Sequence, residues 1–360
     1  MKKIDEILEK ALAEKKLNFE EVVFLLSQRD KDEIKRIHEA ARMLRTRYFD
    51  NRIFAYGFVY FSTFCHNECT FCFYRYSNAQ SLRYRKNRDE IIDLSKALAE
   101  SGVHLIDLTM GEDDLFLTNP DYFLEMVKAV KESTGLPVMI SPGKVSEQLL
   151  DKFMDAGVSW YALYQETYNR ELYRKMRLNQ DFDQRMNKKR KARAKGFLLE
   201  EGLLTGIGDT IEDRATAMLE MGSLGVSQVR TMTFVPQKGT PLENLTPTDS
   251  RNELLNISVL RLLYPDKLIP ASLDVEGLIG LADRLMAGAN VVTSIIPPQE
   301  GLAGVSQSSL DIDDGSRSLP KIMPTLEACG LTLATTAEYE AFLEQEKAKQ
   351  DCEKLEQGAS

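Results

Sequence analysis

Residues 53–72 read IFAYGFVYFSTFCHNECTFC, an apolar and aromatic run that passes directly into three closely spaced cysteines. The first nine residues are mostly β-branched or aromatic, which is typical of a buried strand. Cys65, Cys69 and Cys72 follow within eight residues. A strand that leads straight into a set of thiols predicts a metal-binding or reactive loop at the end of that strand.

The same kind of run recurs along the chain, and each run is followed by a helical pattern. Predicted strands lie at residues 53–61, 104–109, 137–141, 159–164, 197–206, 227–235, 267–273 and 290–296. Helical patterns lie near residues 88–101, 120–134, 146–156, 182–195, 210–223, 250–263 and 275–287. Strands separated by helices run parallel, and this number of units predicts an α/β fold, a closed (β/α)8 barrel of the TIM type. An open doubly wound sheet is the alternative topology.

The flanking segments differ from this α/β region. Residues 1–50 predict an amino-terminal helical cap, and residues 51–339 hold the barrel. Residues 340–360 are charged and poor in large apolar side chains, so they predict a frayed carboxy-terminal tail.

Charge and hydropathy exclude several classes of partner. The chain has 46 basic and 55 acidic residues, a net charge of −9, which would repel both nucleic acid and an anionic membrane surface. No run approaches the roughly 18 to 20 apolar residues of a membrane helix, and the amino terminus lacks the apolar core of a secretory signal. The sequence therefore predicts a cytoplasmic protein without a nucleic-acid or membrane partner.

The cysteine pattern indicates a metal site. Five cysteines form an odd set with three crowded together, which does not suit a disulfide framework. An iron–sulfur cluster of the cubane type usually has four thiolate ligands, so three would leave one iron open to a small molecule. The alternative is a zinc site completed by His66 or Cys329, although His66 is adjacent to Cys65 and the chain lacks a second CxxC pair.

The spacing Cys-x3-Cys-x2-Cys, with Phe71 before the last cysteine, resembles the radical S-adenosylmethionine (SAM) superfamily. The resemblance implies a [4Fe–4S] cluster held by Cys65, Cys69 and Cys72, which chelates the amino and carboxylate groups of SAM. The motifs MGED, ISPG, YQET and QDFDQR follow at later positions and are similar to cofactor-binding segments of that superfamily. The implied cofactor-binding residues are Phe71, Glu112, Ser141, Glu166 and Arg185, with Glu112 on the ammonium of SAM and Arg185 on its carboxylate.

A closer resemblance covers nearly the whole barrel. Segments such as DLTMGED, LYQETYNRELYRK, RTMTFVPQKGTPLE and LIPASLDVEG are similar to the family of 3-methylornithine synthases. This implies an isomerase of pyrrolysine biosynthesis that converts L-lysine to (3R)-3-methyl-D-ornithine. The reaction would proceed by hydrogen abstraction, fragmentation of the carbon skeleton and recombination, with no catalytic residue beyond the cofactor-derived radical. It also implies a one-electron reductant such as flavodoxin or ferredoxin.

Four polar residues on predicted strands or at strand ends suit an amino-acid substrate: Asp107, Arg230, Ser272 and Asp274. One arginine, two carboxylates and a hydroxyl match a zwitterionic diamino acid, because arginine pairs with carboxylate and carboxylates pair with ammonium. The resemblance assigns product recognition to these positions. We hypothesise that Arg230, Ser272 and Asp274 hold the amino-acid end and that Asp107 contacts the far ammonium. The alternative is a buried layer of ion pairs inside the barrel.

Some residues depart from the family pattern. The residues that differ from what the resemblance predicts are Ala55, Tyr56 and Gly57 on the first strand and Asp114 after MGED. These differences leave open whether lysine or another small amino acid is the substrate. One alternative function is another barrel enzyme of the biotin synthase and hydrogenase maturase branch, acting on a different small amino acid. A zinc-stabilised binding protein without turnover is a hypothesis from another class.

Overall fold

Eight parallel strands form a barrel in the computed structural model, which describes residues 3–306 and 316–358. The described part of the chain has eleven strands, eight of them in the barrel; in chain order they are β1 (Arg52–Ser62), β2 (Glu68–Cys69), β3 (Leu105–Met110), β4 (Val138–Ser141), β5 (Trp160–Ala162), β6 (Arg177–Leu178), β7 (Leu198–Thr205), β8 (Gln228–Thr233), β9 (Pro270–Ser272), β10 (Val291–Ile295) and β11 (Thr332–Leu333). The barrel order is β8-β7-β5-β4-β3-β1-β10-β9, while β11 pairs with the start of β1, and β2 pairs with β6 separately. The eight predicted strands are confirmed.

The barrel closes between β8 and the segment that leads into β9. Leu268 N–H donates to the carbonyl of Ser227 at 3.1 Å, and Val229 N–H donates to the carbonyl of Leu268 at 2.9 Å. These two bonds join the first and last strands of the sheet order near the amino-terminal end of β8. The ring is thus nearly complete, so the predicted barrel is confirmed and the open doubly wound sheet is wrong.

Barrel strands β3, β7 and β10 are buried along their whole length. A strand that is covered by helices outside and by the side chains of other strands inside has a nearly continuous apolar sequence. This explains why the strands could be predicted from the sequence. Charged residues interrupt the apolar runs at Asp107 on β3, Glu200 on β7 and Arg230 on β8, and all three are buried. Each therefore needs a partner in the barrel or a ligand.

Helices connect and surround the strands: α1 (Lys3–Leu12), α2 (Phe19–Leu26), α3 (Lys31–Phe49), α4 (Arg88–Ser101), α5 (Asp114–Thr118), α6 (Pro120–Thr134), α7 (Glu147–Asp155), α8 (Arg170–Met176), α9 (Phe182–Lys195), α10 (Ile211–Ser223), α11 (Arg251–Leu263), α12 (Leu273–Glu276), α13 (Leu281–Met286), α14 (Leu319–Ala328) and α15 (Thr336–Gly358). The predicted helix at 275–287 is instead two short helices, because Gly277 takes a φ of 55° and ends the first. None of the helices in the described part of the chain combines the length and the apolar character needed to cross a membrane.

Residues 3–49 form three helices that pack on the outside of the barrel, where α2 and α3 contact α10 and α11. Arg45 on α3 is buried and donates to the carbonyl oxygens of Leu285 at 2.5 Å and Ala289 at 3.1 Å. These carbonyls lie just before β10, near the amino-terminal end of the barrel. The three helices therefore lie away from the end of the barrel where β1 leads into the cysteine loop.

The prediction of a frayed tail at 340–360 is wrong as far as residue 358, because α15 continues through it. Tyr339, Phe342 and Leu343 are buried, and the Phe342 ring lies 5.9 Å from that of Phe54 on β1. Lys267 also pairs with the buried Glu346 at 2.9 Å. The expected boundary at residue 339 falls inside this helix, which packs against the barrel through one face.

Replacing Phe342 with alanine should lower the free energy of unfolding by about 3 to 5 kcal/mol, because it removes a buried aromatic ring from this face. Urea unfolding followed by circular dichroism measures the change. Glu344→Ala, at an exposed position of the same helix, is the matched control and should change little. Equal stability of the Phe342 variant and the control would show that α15 does not contribute to the core.

Candidate active site

The three-cysteine loop lies at the carboxyl end of β1. Glu68 and Cys69 of this loop form β2, which pairs antiparallel with β6, and Cys69 is paired with Arg177 in that register. Thr70 N–H donates to the carbonyl of Met176 at 2.8 Å and extends this ladder. The loop is therefore held by backbone bonds to the segment that follows β5, far from it in sequence.

The three thiols line one cavity that extends into the barrel. Burial raises the pKa of Cys65 to about 11 and also raises the pKa of Cys72. The sulfur of Cys69 accepts hydrogen bonds from Nε2 of Gln180 at 3.0 Å and from Nη1 of Arg177 at 3.5 Å. Buried thiols lose their protons when they ligate a metal, because the positive charge of the metal stabilises the thiolates.

Glu112 lies beside the cysteine loop, between His66 and Arg185. Its Oε2 is 3.3 Å from Nε2 of His66, and its Oε1 accepts from Nη1 of Arg185 at 3.5 Å. Burial alone would raise the pKa of Glu112, but the hydrogen bond from His66 and the charge of Arg185 outweigh it and lower the pKa to about 2. The carboxylate is thus ionised at neutral pH and suits an ammonium ligand.

Two glycines make this packing sterically possible. A Cβ on Gly143, whose φ is +77°, would lie 2.0 Å from Cγ of Glu112. A Cβ on Gly111 would lie 2.2 Å from the carbonyl oxygen of Phe64 and 2.8 Å from Cβ of Cys65. The glycine of MGED is therefore required where the end of β3 approaches the cysteine loop, and the glycine of ISPG is required where the end of β4 approaches Glu112.

Glu166 follows β5 in an uncommon conformation for a non-glycine residue, with φ at 68°. Such conformations persist where the surroundings hold them, often at functional sites. Its carboxylate accepts from Nη2 of Arg177 at 2.8 Å, and burial raises its pKa. Nearby, Nε of Arg185 donates to the carbonyl of Tyr164 at 2.8 Å. Glu166 is thus held by Arg177, and Arg185 is held by the carbonyl of Tyr164.

Asp107 on β3 is fully buried and only half satisfied. Its Oδ1 accepts from the hydroxyls of Thr109 and Ser141, each at 3.0 Å, whereas its Oδ2 has no hydrogen-bond partner among the described residues. Burial, together with the charge of Glu200, raises the pKa of Asp107 to about 7. A buried oxygen without a donor favours the binding of a ligand that supplies one.

Arg230 on β8 has an acidic partner inside the barrel, as well as an unused donor. Its Nε donates to Oε1 of Glu200 at 2.6 Å, and Nη1 donates to the hydroxyl of Thr293 at 3.2 Å. Tyr164 donates to the other oxygen of Glu200 at 2.8 Å. Nη2 of Arg230 has no partner within the described ranges. The guanidinium is thus held through two of its three nitrogens, which leaves Nη2 as a donor for a carboxylate ligand.

Asp274, by contrast, is already bonded through both carboxylate oxygens. Oδ1 accepts from Nη1 of the buried Arg317 at 2.7 Å, and Oδ2 accepts from the hydroxyl of Ser294 at 2.6 Å. Ser272 accepts from the N–H of Asp274 at 3.3 Å and so caps α12. Any contact of Asp274 with a ligand would therefore be additional to its bonds with Arg317 and Ser294.

The structure brings nearly all predicted site residues to one cavity. The predicted residues that line this cavity are Cys65, Cys69, Cys72, Phe71, Glu112, Ser141, Glu166, Arg185, Asp107, Arg230 and Asp274. Ser272 is the exception, since it reaches the site through Asp274. Their roles remain predictions, while their common location follows from the barrel.

Comparisons with known proteins identify the family. Residues 59–220 match the model of the Radical SAM superfamily. The chain is 46% identical to the 3-methylornithine synthase of Methanosarcina barkeri, over 89% of this chain and 91% of that protein. It is 43% identical to the 3-methylornithine synthase of Methanosarcina acetivorans, over 94% and 97%. It also matches the crystal structure of methylornithine synthase (PylB) with a TM-score of 0.89 and 44% identity, over 93% and 99% of the two chains.

The chain belongs to the 3-methylornithine synthase family of radical SAM proteins. Membership in the radical SAM superfamily implies a [4Fe–4S] cluster and SAM. The residues present fit both groups: three thiols open on the cavity, and an ionised carboxylate and buried arginines stand beside them. A ligand set with three thiolates also matches a cluster that keeps one iron open.

The zinc alternative lacks its predicted fourth ligand in this arrangement. Nδ1 of His66 lies 2.6 Å from Asp114 and Nε2 lies 3.3 Å from Glu112, so both ring nitrogens are engaged by carboxylates. Cys329 ends α14 and interacts with Arg45, near the amino-terminal end of the barrel. Neither side chain completes a tetrahedral site with the cysteine loop of this radical SAM protein.

Three charged residues that support the site were missed in the sequence analysis: Arg177, Glu200 and Arg317. Each holds a predicted residue in place, namely Glu166, Arg230 and Asp274. The charged Glu200 within a strong apolar strand was a signal that could have been used, since such a residue requires a buried partner. Arg177 and Arg317 lie outside the barrel strands, and their position depends on chain folding that no local pattern reveals.

The raised pKa of Asp107 makes the stability of the ligand-free protein depend on pH. Because the folded-state pKa of about 7 exceeds the ordinary 3.8, ionisation of Asp107 destabilises the fold as pH rises between these values. Asp107→Asn should abolish this loss, so its free energy of unfolding relative to the unsubstituted protein should increase from pH 5 to pH 8. Urea unfolding at both values tests this, with the exposed Asp93→Asn as control. A difference that does not change with pH would contradict the assignment.

Proposed function

We propose that the protein is a radical SAM isomerase that converts L-lysine to (3R)-3-methyl-D-ornithine in pyrrolysine biosynthesis. Its similarity to 3-methylornithine synthases over most of the chain supports the reaction. The observation that carries the substrate assignment is the pair of unused polar atoms inside the barrel, Oδ2 of Asp107 and Nη2 of Arg230. A diamino acid offers an ammonium to the first and a carboxylate to the second.

The charge balance of the cavity supports the same substrate. Arg230 is paired with Glu200, and Arg317 is paired with Asp274, so these four charges compensate one another. Asp107 has no ion-pair partner of its own among the described residues, and burial together with the charge of Glu200 raises its pKa despite the opposing charge of Arg230. Lysine carries two ammonium groups and one carboxylate, a net charge of +1. Binding of lysine would let Asp107 ionise, and the charges of lysine, Asp107 and the two ion pairs would then sum to zero.

The proposed cofactor site uses residues of the chain at successive strand ends. Cys65, Cys69 and Cys72 would ligate a [4Fe–4S] cluster, while Glu112 would accept the ammonium of SAM and Arg185 would donate to its carboxylate. Phe71, Ser141 and Glu166 would complete the contacts. When bound, the cluster and SAM supply the one-electron reductive cleavage that leads to hydrogen abstraction, with electrons from a carrier such as flavodoxin or ferredoxin.

Positioning is the main contribution of the protein to this reaction. If the carbon skeleton of lysine fragments and recombines, both fragments have to stay in place until the new bond forms. Arg230 and Asp274 would hold the amino-acid end, and Asp107 would hold the far ammonium. The aromatic side chains of Phe58, Tyr60 and Tyr164 also line the cavity and would help to exclude water from the bound substrate.

Within the alternative branch of biotin synthases and hydrogenase maturases, a sulfur-inserting enzyme of the biotin synthase kind has little support in this chain. A second cluster would need further cysteine ligands at the cavity, but Cys329 lies at the end of α14 and Cys352 is exposed on α15. Neither lines the cavity. The isomerase is therefore the better assignment.

Mass spectrometry tests the reaction directly. The anaerobically reconstituted protein, supplied with SAM, a reductant and uniformly ¹³C-labelled lysine, should form a product with the mass of the substrate but a different retention time. Identity with synthetic 3-methylornithine would establish isomerisation. A product that has gained sulfur, or lysine that remains unchanged beside consumed SAM, would contradict the proposal.

Changes at Arg230 test the substrate contact. Arg230→Lys keeps the charge beside Glu200 but loses the planar fork, so kcat/KM for lysine should fall about 10- to 100-fold. Arg230→Met should abolish turnover. The iron–sulfur absorbance should stay unchanged in both, because Arg230 does not contact the cysteines.

Arg190→Lys, at an exposed position on α9, is the matched control and should keep full activity. Retained kcat/KM in Arg230→Met would refute the assignment of Arg230 to the substrate.

A further inference from the structure

Two side chains with no role so far in the proposed reaction donate to the sulfur of Cys69. Nε2 of Gln180 lies 3.0 Å from Sγ, and Nη1 of Arg177 lies 3.5 Å from it. The β2–β6 ladder places Arg177 directly opposite Cys69, and Gln180 lies three residues after Arg177 in the chain. Cys69 is itself buried, so both donors act on a sulfur with little access to water.

The charge of Arg177 cannot move away from this sulfur easily. The residue is 8% exposed, and its Nη2 donates to Oε1 of Glu166 at 2.8 Å and to the carbonyl of Tyr164 at 3.2 Å. Its guanidinium also lies 5.3 Å from the centre of the Phe71 ring. These contacts come from two segments, the residues after β5 and the cysteine loop, so the arginine is held as a fixed positive charge.

A second contact orients the amide of Gln180. Its Oε1 accepts from Nη1 of Arg185 at 3.4 Å, since the arginine can only donate. The amide nitrogen is therefore the atom directed to Cys69. Both donors are thus set before any cluster binds.

Hydrogen bonds to the sulfur ligands of an iron–sulfur cluster, and charges near them, change its reduction potential. Reduction adds one electron and makes the cluster and its thiolates more negative, so an N–H donor or a positive charge stabilises the reduced form more than the oxidised form. We propose that Arg177 and Gln180 raise the reduction potential of the cluster held by Cys65, Cys69 and Cys72. This inference rests on the proposed function only in requiring that cluster.

The test is the midpoint potential of the cluster, measured by a redox titration followed by electron paramagnetic resonance without SAM or substrate. Gln180→Leu keeps a similar volume and removes the donor. The ratio of reduced to oxidised cluster at a fixed potential should fall on the order of tenfold, a shift of about 59 mV to more negative values. Arg177→Met should shift the potential further in the same direction, and Arg177→Lys should shift it less because the charge remains.

Gln184→Leu, at an exposed position of α9 close to Gln180 in the chain, is the matched control and should leave the potential unchanged. Because Arg177 also pairs with the partly buried Glu166, its variants lose that ion pair as well, whereas Gln180→Leu tests the proposal without that loss. An unchanged potential in Gln180→Leu, or loss of its cluster, would overturn this inference and leave the proposed function standing. Failure of the unsubstituted protein to bind a cluster would overturn both.

Discussion

Charged side chains inside the barrel have lost their hydration, and the site is arranged around that cost. Glu200 and Arg230 compensate each other, as do Asp274 and Arg317. Asp107 has no such partner, and its two hydroxyl donors satisfy only one oxygen. Because an uncompensated buried charge is expensive, the interior favours a ligand of opposite charge over an empty cavity. The substrate site is thus a consequence of incomplete ion pairing.

The cofactor end of the cavity follows a different principle, close steric fit. The cysteine loop is held by the β2–β6 ladder and lies against Gly111, where any side chain would collide with Phe64 and Cys65. Gly143 likewise leaves space for the side chain of Glu112, with which any Cβ at this position would collide. The thiols, the carboxylate of Glu112 and Arg177 are thereby fixed relative to one another by backbone geometry. A site of this kind can hold a cluster and a nucleotide in one orientation without large rearrangement.

The sequence was informative where a single local pattern decided the structure. The barrel strands are buried on both faces, so their apolar runs were visible without alignment, and the cysteine spacing and strand-end motifs indicated the cofactor site. The C-terminal helix was missed because its inward face includes Glu346 and Gln350, which are buried but polar. Arg177, Glu200 and Arg317 were missed because each is defined by a partner distant in the chain. Ser272 was assigned to the substrate from its position at a strand end, whereas its hydroxyl also caps α12.

The central claim is that three thiolates bind a four-iron cluster and leave one iron to the amino and carboxylate groups of SAM. The most direct measurement is electron–nuclear double resonance on the reduced protein with SAM labelled with ¹⁵N at its amino group. The account predicts a ¹⁵N hyperfine coupling that shows the amino nitrogen bound to the cluster. A reduced four-iron cluster that shows no such coupling at saturating SAM would contradict it.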